Sequence, residues 1–480
     1  MIQFLLNQTL VTERDIDPNM TVLNYLRERR RRPGTKEGCA SGDCGACTVT
    51  LGRVEQGRMR YETANACLTL ISALQGKQLI TVEDLRQQGA LHPVQQAVVD
   101  LHASQCGFCT PGIVMTLFTL QKNSRGWDRQ QAELALAGNL CRCTGYRPIM
   151  DAARLLCEQP VEDSFSRQAA ITVQRLSALQ HRRRQTLKEQ GNCCFIPKTL
   201  GQLADCYRQY PRARLLAGGT DLALEITQAC RPLPLLIALD QVEELQCWQV
   251  TEDSIELGAG LSISQCASLL SGLIPSFADL LRRFASQQIR NRGTLGGNIG
   301  NASPIGDTPP LLLALDAQLR LQCGDSERRL PLHDFFLAYR QTALREGEFI
   351  RSIVIPRGER VSNFRAWKVA KRPDDDISAV AGAFAVCLRD GVVSEARIAF
   401  GGMDAIPRRA PRCEQALCGR PWNEATLEAA CRVLEQEFTP LSDFRASADY
   451  RRQIAGNLLR RYYLSLQGEI PFMGVADYVA

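Results

Sequence analysis

Eight of the chain's 20 cysteines fall in two groups of four within its first 143 residues, and any fold must bring each group together. The first is Cys39, Cys44, Cys47 and Cys67, a C-x4-C-x2-C run with its last member further along. That is the plant-type spacing of a [2Fe–2S] cluster. The second is Cys106, Cys109, Cys141 and Cys143, a C-x2-C followed after a gap by C-x-C. One cluster serves many purposes; two in succession suggest an electron relay.

The first loop, Glu37-Gly38-Cys39-Ala40-Ser41-Gly42-Asp43-Cys44-Gly45-Ala46-Cys47, separates its thiols by small residues. Three thiolates must meet at one place while backbone N–H groups point at sulfur, and glycine permits the turns and close approach this needs. Structural zinc is the alternative, but its paired cysteines stand two to four residues apart, which C-x4-C fits poorly. In the second group, Cys106-Gly107-Phe108-Cys109-Thr110-Pro111 runs into an apolar helical stretch, and Cys141-Arg142-Cys143 precedes a helix expected over 148–156. Helix N-termini favour negatively charged groups. By spacing alone, zinc or a Cys106–Cys109 redox disulfide remains open here.

The remaining composition is ordinary. At 480 residues, 45% hydrophobic and 22% charged, the chain has room for about three domains. A net charge of +6 is small for this size and carries no nucleic-acid signal. No apolar run reaches the ~18 residues of a membrane span. The start lacks the basic segment of a signal peptide, so a cytoplasmic location is expected. The other twelve cysteines show no repeated spacing and read as buried small hydrophobes, the adjacent Cys193-Cys194 being the one pair with a possible redox role. Residues 161–192 are rich in Gln, Arg and Lys, include His181-Arg182-Arg183-Arg184, and read as a partly helical linker. They lack the interleaved aromatics of a nucleic-acid surface.

Beyond the linker, two glycine-rich stretches suggest a nucleotide cofactor. In the segment 214–222 an apolar strand runs straight into Gly218-Gly219-Thr220, whose backbone amides could form an anion nest. It is no G-x-G-x-x-G fingerprint, which argues against a Rossmann fold. Gly293-Thr294-Leu295-Gly296-Gly297-Asn298 then leads to a lone carboxylate, Asp307. Compact donors and one acceptor suit phosphate and ribityl groups, although a solvated loop can have the same composition.

The pair EGCASGDCGACTV and QCGFCTPG…NLCRCTGYRPI resembles the iron–sulfur half of the xanthine dehydrogenase (molybdenum hydroxylase) family, and the two glycine-rich loops resemble its FAD domain. The resemblance implies an α+β multidomain chain. A β-grasp ferredoxin domain would span 1–78 and a four-helix [2Fe–2S] domain 79–160. After the linker would come a vanillyl-alcohol-oxidase-type FAD domain (193–357) and an α+β C-terminal flavoprotein domain (358–480). All eight cysteines match the family's cluster ligands. The family's flavin contacts fall on Leu215, Leu216, Ala217, Gly218, Gly219, Thr220, Asp221 and Leu222. They continue at Phe284, Thr294, Leu295, Gly296, Gly297 and Asn298, with Asp307 acidic, Ile350 apolar and Lys368 basic. Asp374-Asp375-Asp376 corresponds to a loop beside the flavin that modulates acceptor access, and is otherwise a solvated turn.

The four histidines, His92, His102, His181 and His333, form no nucleophile motif. The resemblance implies that substrate oxidation takes place on a molybdenum-cofactor-binding large subunit, in an α2β2 assembly. In that assembly this chain would be the small subunit, carrying electrons from purine oxidation through two [2Fe–2S] clusters to FAD and then NAD. Another molybdenum hydroxylase, acting on aldehydes or N-heterocycles, is the alternative within the family. A stand-alone redox carrier is the alternative outside it.

Overall fold

A computed structural model describes residues 1–87, 89–159, 162–180 and 183–468. The expected domain exit at residues 160–161, His181 and Arg182 of the expected linker, and the last twelve residues of the expected C-terminal domain lie outside them. The chain divides into two compact units. The first comprises Met1–Cys206, Arg212–Val242 and Ala285–Gly293; the second comprises Tyr207–Pro211, Glu243–Phe284 and the chain from Thr294 onward.

The first unit opens with β1 (Ile2–Leu6) and β2 (Thr9–Glu13), then β3 (Thr48–Glu55), β4 (Arg58–Asn65) and β5 (Gln78–Ile80). Gln56 and Gly57, at φ 49° and 74°, make the β3–β4 hairpin; two successive positive φ values give the tight turn whose twist matches the strands. β5 runs parallel to β1 and antiparallel to β3, giving the order β2-β1-β5-β3-β4. This mixed sheet buries Phe4, Val49 and Leu51 with Tyr25, Leu70 and Ile71. Four helices follow: Pro93–Asp100, Thr110–Asn123, Arg129–Leu136 and Arg147–Glu158. Proline stands in the first turn of three of them, where its missing N–H costs nothing, and Asp128 caps the other. Ile113, Leu117, Phe118, Ile149 and Leu156 share their core.

A buried triad fastens the chain leaving this helical layer. His92 Nε2 lies 2.8 Å from Asp163 Oδ2, and Lys122 Nζ lies 2.6 Å from Asp163 Oδ1. His92 Nδ1 accepts the Val94 N–H, so Nε2 carries the proton and donates it. Burial alone would raise the Asp163 carboxyl, but the His92 and Lys122 hydrogen bonds outweigh it and hold the carboxyl well below its usual range. A depressed folded-state value contributes stability above the unfolded value of about 3.9, and that stability is lost as pH falls. Thermal melts of the wild type should therefore drop as pH falls below about 4, and Asp163→Asn should flatten that dependence. An unchanged acid slope in the variant would show that Asp163 is not the group responsible.

The segment 161–192 holds two helices, Ser164–Arg167 and Ala169–Ala178, and then β6 (Gln185–Glu189). β6 joins β7 (Asn192–Ile196), β8 (Arg214–Leu216) and β9 (Leu235–Ala238) in the order β6-β7-β9-β8. The two helices agree with a partly helical linker, and Leu176 and Leu187 are fully buried, so one face of this segment is core. β8 ends at Leu216, just before Gly218-Gly219 as expected, and Gly219 at φ 79° turns the chain out of the sheet.

The second unit is built on β10 (Trp248–Val250), β11 (Ser254–Gly258), β12 (Gln318–Cys323) and β13 (Ser326–Pro331). A short hairpin follows, β14 (Phe336–Ala338) and β15 (Gln341–Thr342), and then β16 (Phe349–Pro356), which completes the antiparallel order β10-β11-β16-β12-β13. A second sheet contains β17 (Arg365–Val369), β18 (Val380–Arg389), β19 (Val392–Gly401) and β20 (Arg408–Arg409). Strand alternation sorts its residues by size. Ala383, Ala385 and Ala399 face the core under the first sheet, whereas Phe384, Val386, Ile398 and Phe400 face the helices Glu424–Glu435 and Ala448–Gln467. The chain is thus an α+β multidomain fold. Among the described residues no helix is long and apolar enough to cross a membrane.

Candidate metal-cluster and cofactor sites

The first cysteine loop is shaped by left-handed residues: Ala40, Gly42 and Gly45 lie at φ 53°, 85° and 68°. That winding turns the N–H groups of Ser41, Asp43 and Cys44 onto Cys39 Sγ, at 3.4, 3.3 and 3.4 Å. A side chain at Gly38 would come within 2.8 Å of Cys44 Sγ, so glycine is needed for close approach there. Cys39 is within hydrogen-bonding reach of Cys44 and Cys67, and Cys67 of Cys47. The bond from Cys44 holds Cys39 low, while Cys67 is pushed high by sharing with Cys39 and Cys47. A metal at this place would have to displace the protons these thiols share.

In the second group, Cys109 stands at the N-terminus of the helix Thr110–Asn123 and pairs with Cys141, while Cys106 pairs with Cys143. Burial raises the Cys109 thiol to about 12. Burial would raise Cys141 too, but hydrogen bonds from the Thr144 hydroxyl and N–H hold it below its usual value. Cys106 and Cys143 are exposed, Cys141 is buried. No group of three or more His, Cys, Asp and Glu side chains is set for a single metal ion among the described residues. Facing pairs of thiols fit a two-iron cluster, with two thiolates per iron, better than a tetrahedral zinc site.

A polar network that spacing rules do not reveal ties these loops together. Asn139 is buried; its Nδ2 donates to Gly45 O at 3.1 Å and to Thr48 Oγ1 at 3.3 Å. Its Oδ1 accepts from Thr116 Oγ1 at 2.7 Å and from Gln288 Nε2 at 3.0 Å. Gly112 and Gly45 touch so closely that a side chain at Gly112 would lie 2.1 Å from Gly45 O. Asn139 thus links the ferredoxin-type loop, the second cluster's helix and the segment Ala285–Gly293, with each end of its amide satisfied.

The expected flavin residues fall in both units. Leu215 to Leu222 belong to the first. There a side chain at Gly218 would lie 1.9 Å from Arg292 O, and Gly219 occupies left-handed space, leaving a loop of backbone and hydroxyl groups. In the second unit, Thr294 caps the helix Leu295–Gly300 by accepting the Gly297 N–H at 3.0 Å. Gly296 packs on Ala259, which an added side chain would meet at 2.5 Å. Asn298 Oδ1 accepts from Thr308 Oγ1 at 2.6 Å, next to Asp307. Asp307 Oδ2 then meets Lys368 Nζ at 2.7 Å, and its Oδ1 accepts from Ser378 Oγ at 2.5 Å. Ile350 is buried on β16, and Phe284 is half-buried against the same core. Asp307, Lys368 and Ser378 are all at most 5% exposed, so these are not surface turns. Sequence reasoning missed Asn139, Gln288, Thr308 and Ser378, whose roles come from partners far along the chain.

Cys193 and Cys194 are successive strand residues and point to opposite faces of the sheet. Cys194 is buried and its thiol is raised by that burial, as befits a packing residue.

Comparison with known proteins follows this geometry domain by domain. Residues 6–72 match the 2Fe-2S iron-sulfur cluster binding domain and 81–154 the [2Fe-2S] binding domain. Residues 187–358 match the FAD binding domain in molybdopterin dehydrogenase, and 365–466 the CO dehydrogenase flavoprotein C-terminal domain. The four matches give the chain two iron–sulfur-binding domains, an FAD-binding domain of the molybdopterin dehydrogenase type and a flavoprotein C-terminal domain. Xanthine dehydrogenase/oxidase of Gallus gallus is 33% identical over 96% of this chain and 40% of its own length. Aldehyde oxidase 1 of Bos taurus is 32% identical over 99% of this chain, again 40% of its own length. The chain thus spans about two fifths of these molybdenum hydroxylases. Among solved structures, a carbon monoxide dehydrogenase chain from Hydrogenophaga pseudoflava superposes with a TM-score of 0.52 at 27% identity, covering 55% of this chain and 93% of that one. Quinoline 2-oxidoreductase from Pseudomonas putida 86 gives 0.52 at 26%, covering 57% and 96%.

Proposed function

We propose that this chain is the electron-transfer subunit of an NAD-linked xanthine dehydrogenase whose molybdenum cofactor is held by a separate large subunit. The observation that carries the reading is the Asn139 network, which packs both four-thiol groups into one unit with the Ala285–Gly293 segment. When bound, the two clusters carry single electrons from the partner's molybdenum centre, and FAD collects them in pairs for NAD.

The chain's own groups hold and tune. Cys39, Cys44, Cys47 and Cys67 would hold one cluster, and Cys106, Cys109, Cys141 and Cys143 the other. The three N–H groups aimed at Cys39 Sγ stabilise negative charge on that sulfur, which favours a reduced cluster. Gly218 and Gly219 offer backbone to a pyrophosphate. Asp307 and Lys368 offer a buried acceptor and donor, paired with each other at 2.7 Å. The side chains Cys47 and Cys67 exclude water from one end of the first site.

Xanthine is favoured as substrate only slightly, since the xanthine and aldehyde relatives differ by a single per cent in identity. The chain should therefore be produced with a molybdenum-cofactor-binding chain, purified as a complex, and assayed for NAD reduction. Xanthine should support turnover. An aldehyde or N-heterocycle replacing it would move the enzyme to the other branch of the family. Failure to co-purify with any such chain would favour a stand-alone carrier.

A further inference from the structure

We infer that Ser378 is a positioning residue of the flavin site, setting the Asp307 carboxylate and tying the acidic 370–379 loop to it; the inference rests on the flavin placement proposed above. Ser378 is 1% exposed and donates its hydroxyl to Asp307 Oδ1 at 2.5 Å, a bond shortened by the charge on the acceptor. Asp307 Oδ2 is taken by Lys368 at 2.7 Å, so the two bonds approach the carboxylate on different oxygens and fix its plane. One lysine bond alone would leave the carboxylate free to swing about χ2, a broad torsion in aspartate. Fixing it presents the remaining lone pairs in constant directions to a cofactor.

Ser378 closes the loop between β17 and β18 that contains Asp374-Asp375-Asp376. The same loop is held elsewhere by two further devices. The Arg283 guanidinium donates to Lys368 O and Pro373 O, both at 3.0 Å. Asp376 accepts the Arg372 and Ile377 N–H groups, both at 3.0 Å. The loop thus begins beside Lys368 and ends on the carboxylate that Lys368 neutralises. The Ser378 hydroxyl is the bond by which the far end of the loop reaches Asp307.

The full-length chain loaded with FAD provides the test. Ser378→Ala should weaken FAD binding about tenfold, measured by recovery of free-flavin fluorescence. It should also lower the flavin midpoint potential, because a carboxylate that has lost a donor presents more negative charge to the ring. Ser378→Thr, which keeps the hydroxyl, should restore the potential, a result that a purely structural role does not give. In an Asp307→Asn background the effect of Ser378→Ala should largely vanish, since residues acting as a unit are not additive. Wild-type affinity and potential in Ser378→Ala, or the same effect in both backgrounds, would overturn the inference. If Asp307→Asn itself leaves affinity and potential unchanged, the flavin placement fails and this inference falls with it.

Discussion

Cys67→Ser should remove about two of the roughly four irons expected per chain and leave FAD in place. Cys67 is 2% exposed, held between Leu68 and the sheet core, so no solvent molecule can stand in as fourth ligand. A serine hydroxyl has a far higher pKa than a thiol and makes a poor replacement for the thiolate a cluster needs. Cys143→Ser is a useful contrast, because Cys143 is exposed and solvent can reach the vacated position. Iron analysis and low-temperature electron paramagnetic resonance on the reduced protein should show one of two [2Fe–2S] signals missing in Cys67→Ser. In Cys143→Ser the other signal should be altered with less loss of iron. Zinc in the wild type, or retention of both signals in Cys67→Ser, would remove the basis for the relay.

Lys368→Ala should be the most destabilising single change in the flavin half of the chain. The Lys368–Asp307 pair is buried on both sides, with side chains 2% and 6% exposed. Deleting one partner strands the other charge in a poorly solvated place, a loss of about 3–5 kcal/mol. Asp307→Ala should behave similarly, and each variant should lose most of its FAD while keeping its iron. A double change, Lys368→Met with Asp307→Leu, should recover much of the stability, since a buried pair replaced by apolar groups is often neutral, but it should not recover the flavin. Melting temperature and flavin content separate these outcomes. Full flavin in the double variant would show that the pair serves packing alone.

What was legible in the sequence was local. The C-x4-C-x2-C run and the proline-marked helix starts each depend on residues a few positions apart, and the structure forms both helices as expected. Resemblance pointed to Asp307 and Lys368 as separate contacts, but not to their being one ion pair across 61 positions. Gln288 reaches Asn139 across 149 positions and Thr48 across 240, and no periodicity encodes such meetings. The 161–192 segment was legible as partly helical, but its buried Leu176, Leu179 and Leu187 are diluted by Gln and Arg, so the packing they provide did not stand out in the composition.

The Asn139 amide also bears on how such a chain is made. Its donor Gln288 leaves the ribosome 149 residues after Asn139 itself. Synthesis runs from the N-terminus, and at about 5–20 residues per second the delay between the two is on the order of seven to thirty seconds. Through that interval the two thiol-bearing layers lack one wall, and the Asn139 carbonyl oxygen lacks one of its two donors. The first unit becomes a finished body only when residues 285–293 have been delivered to it.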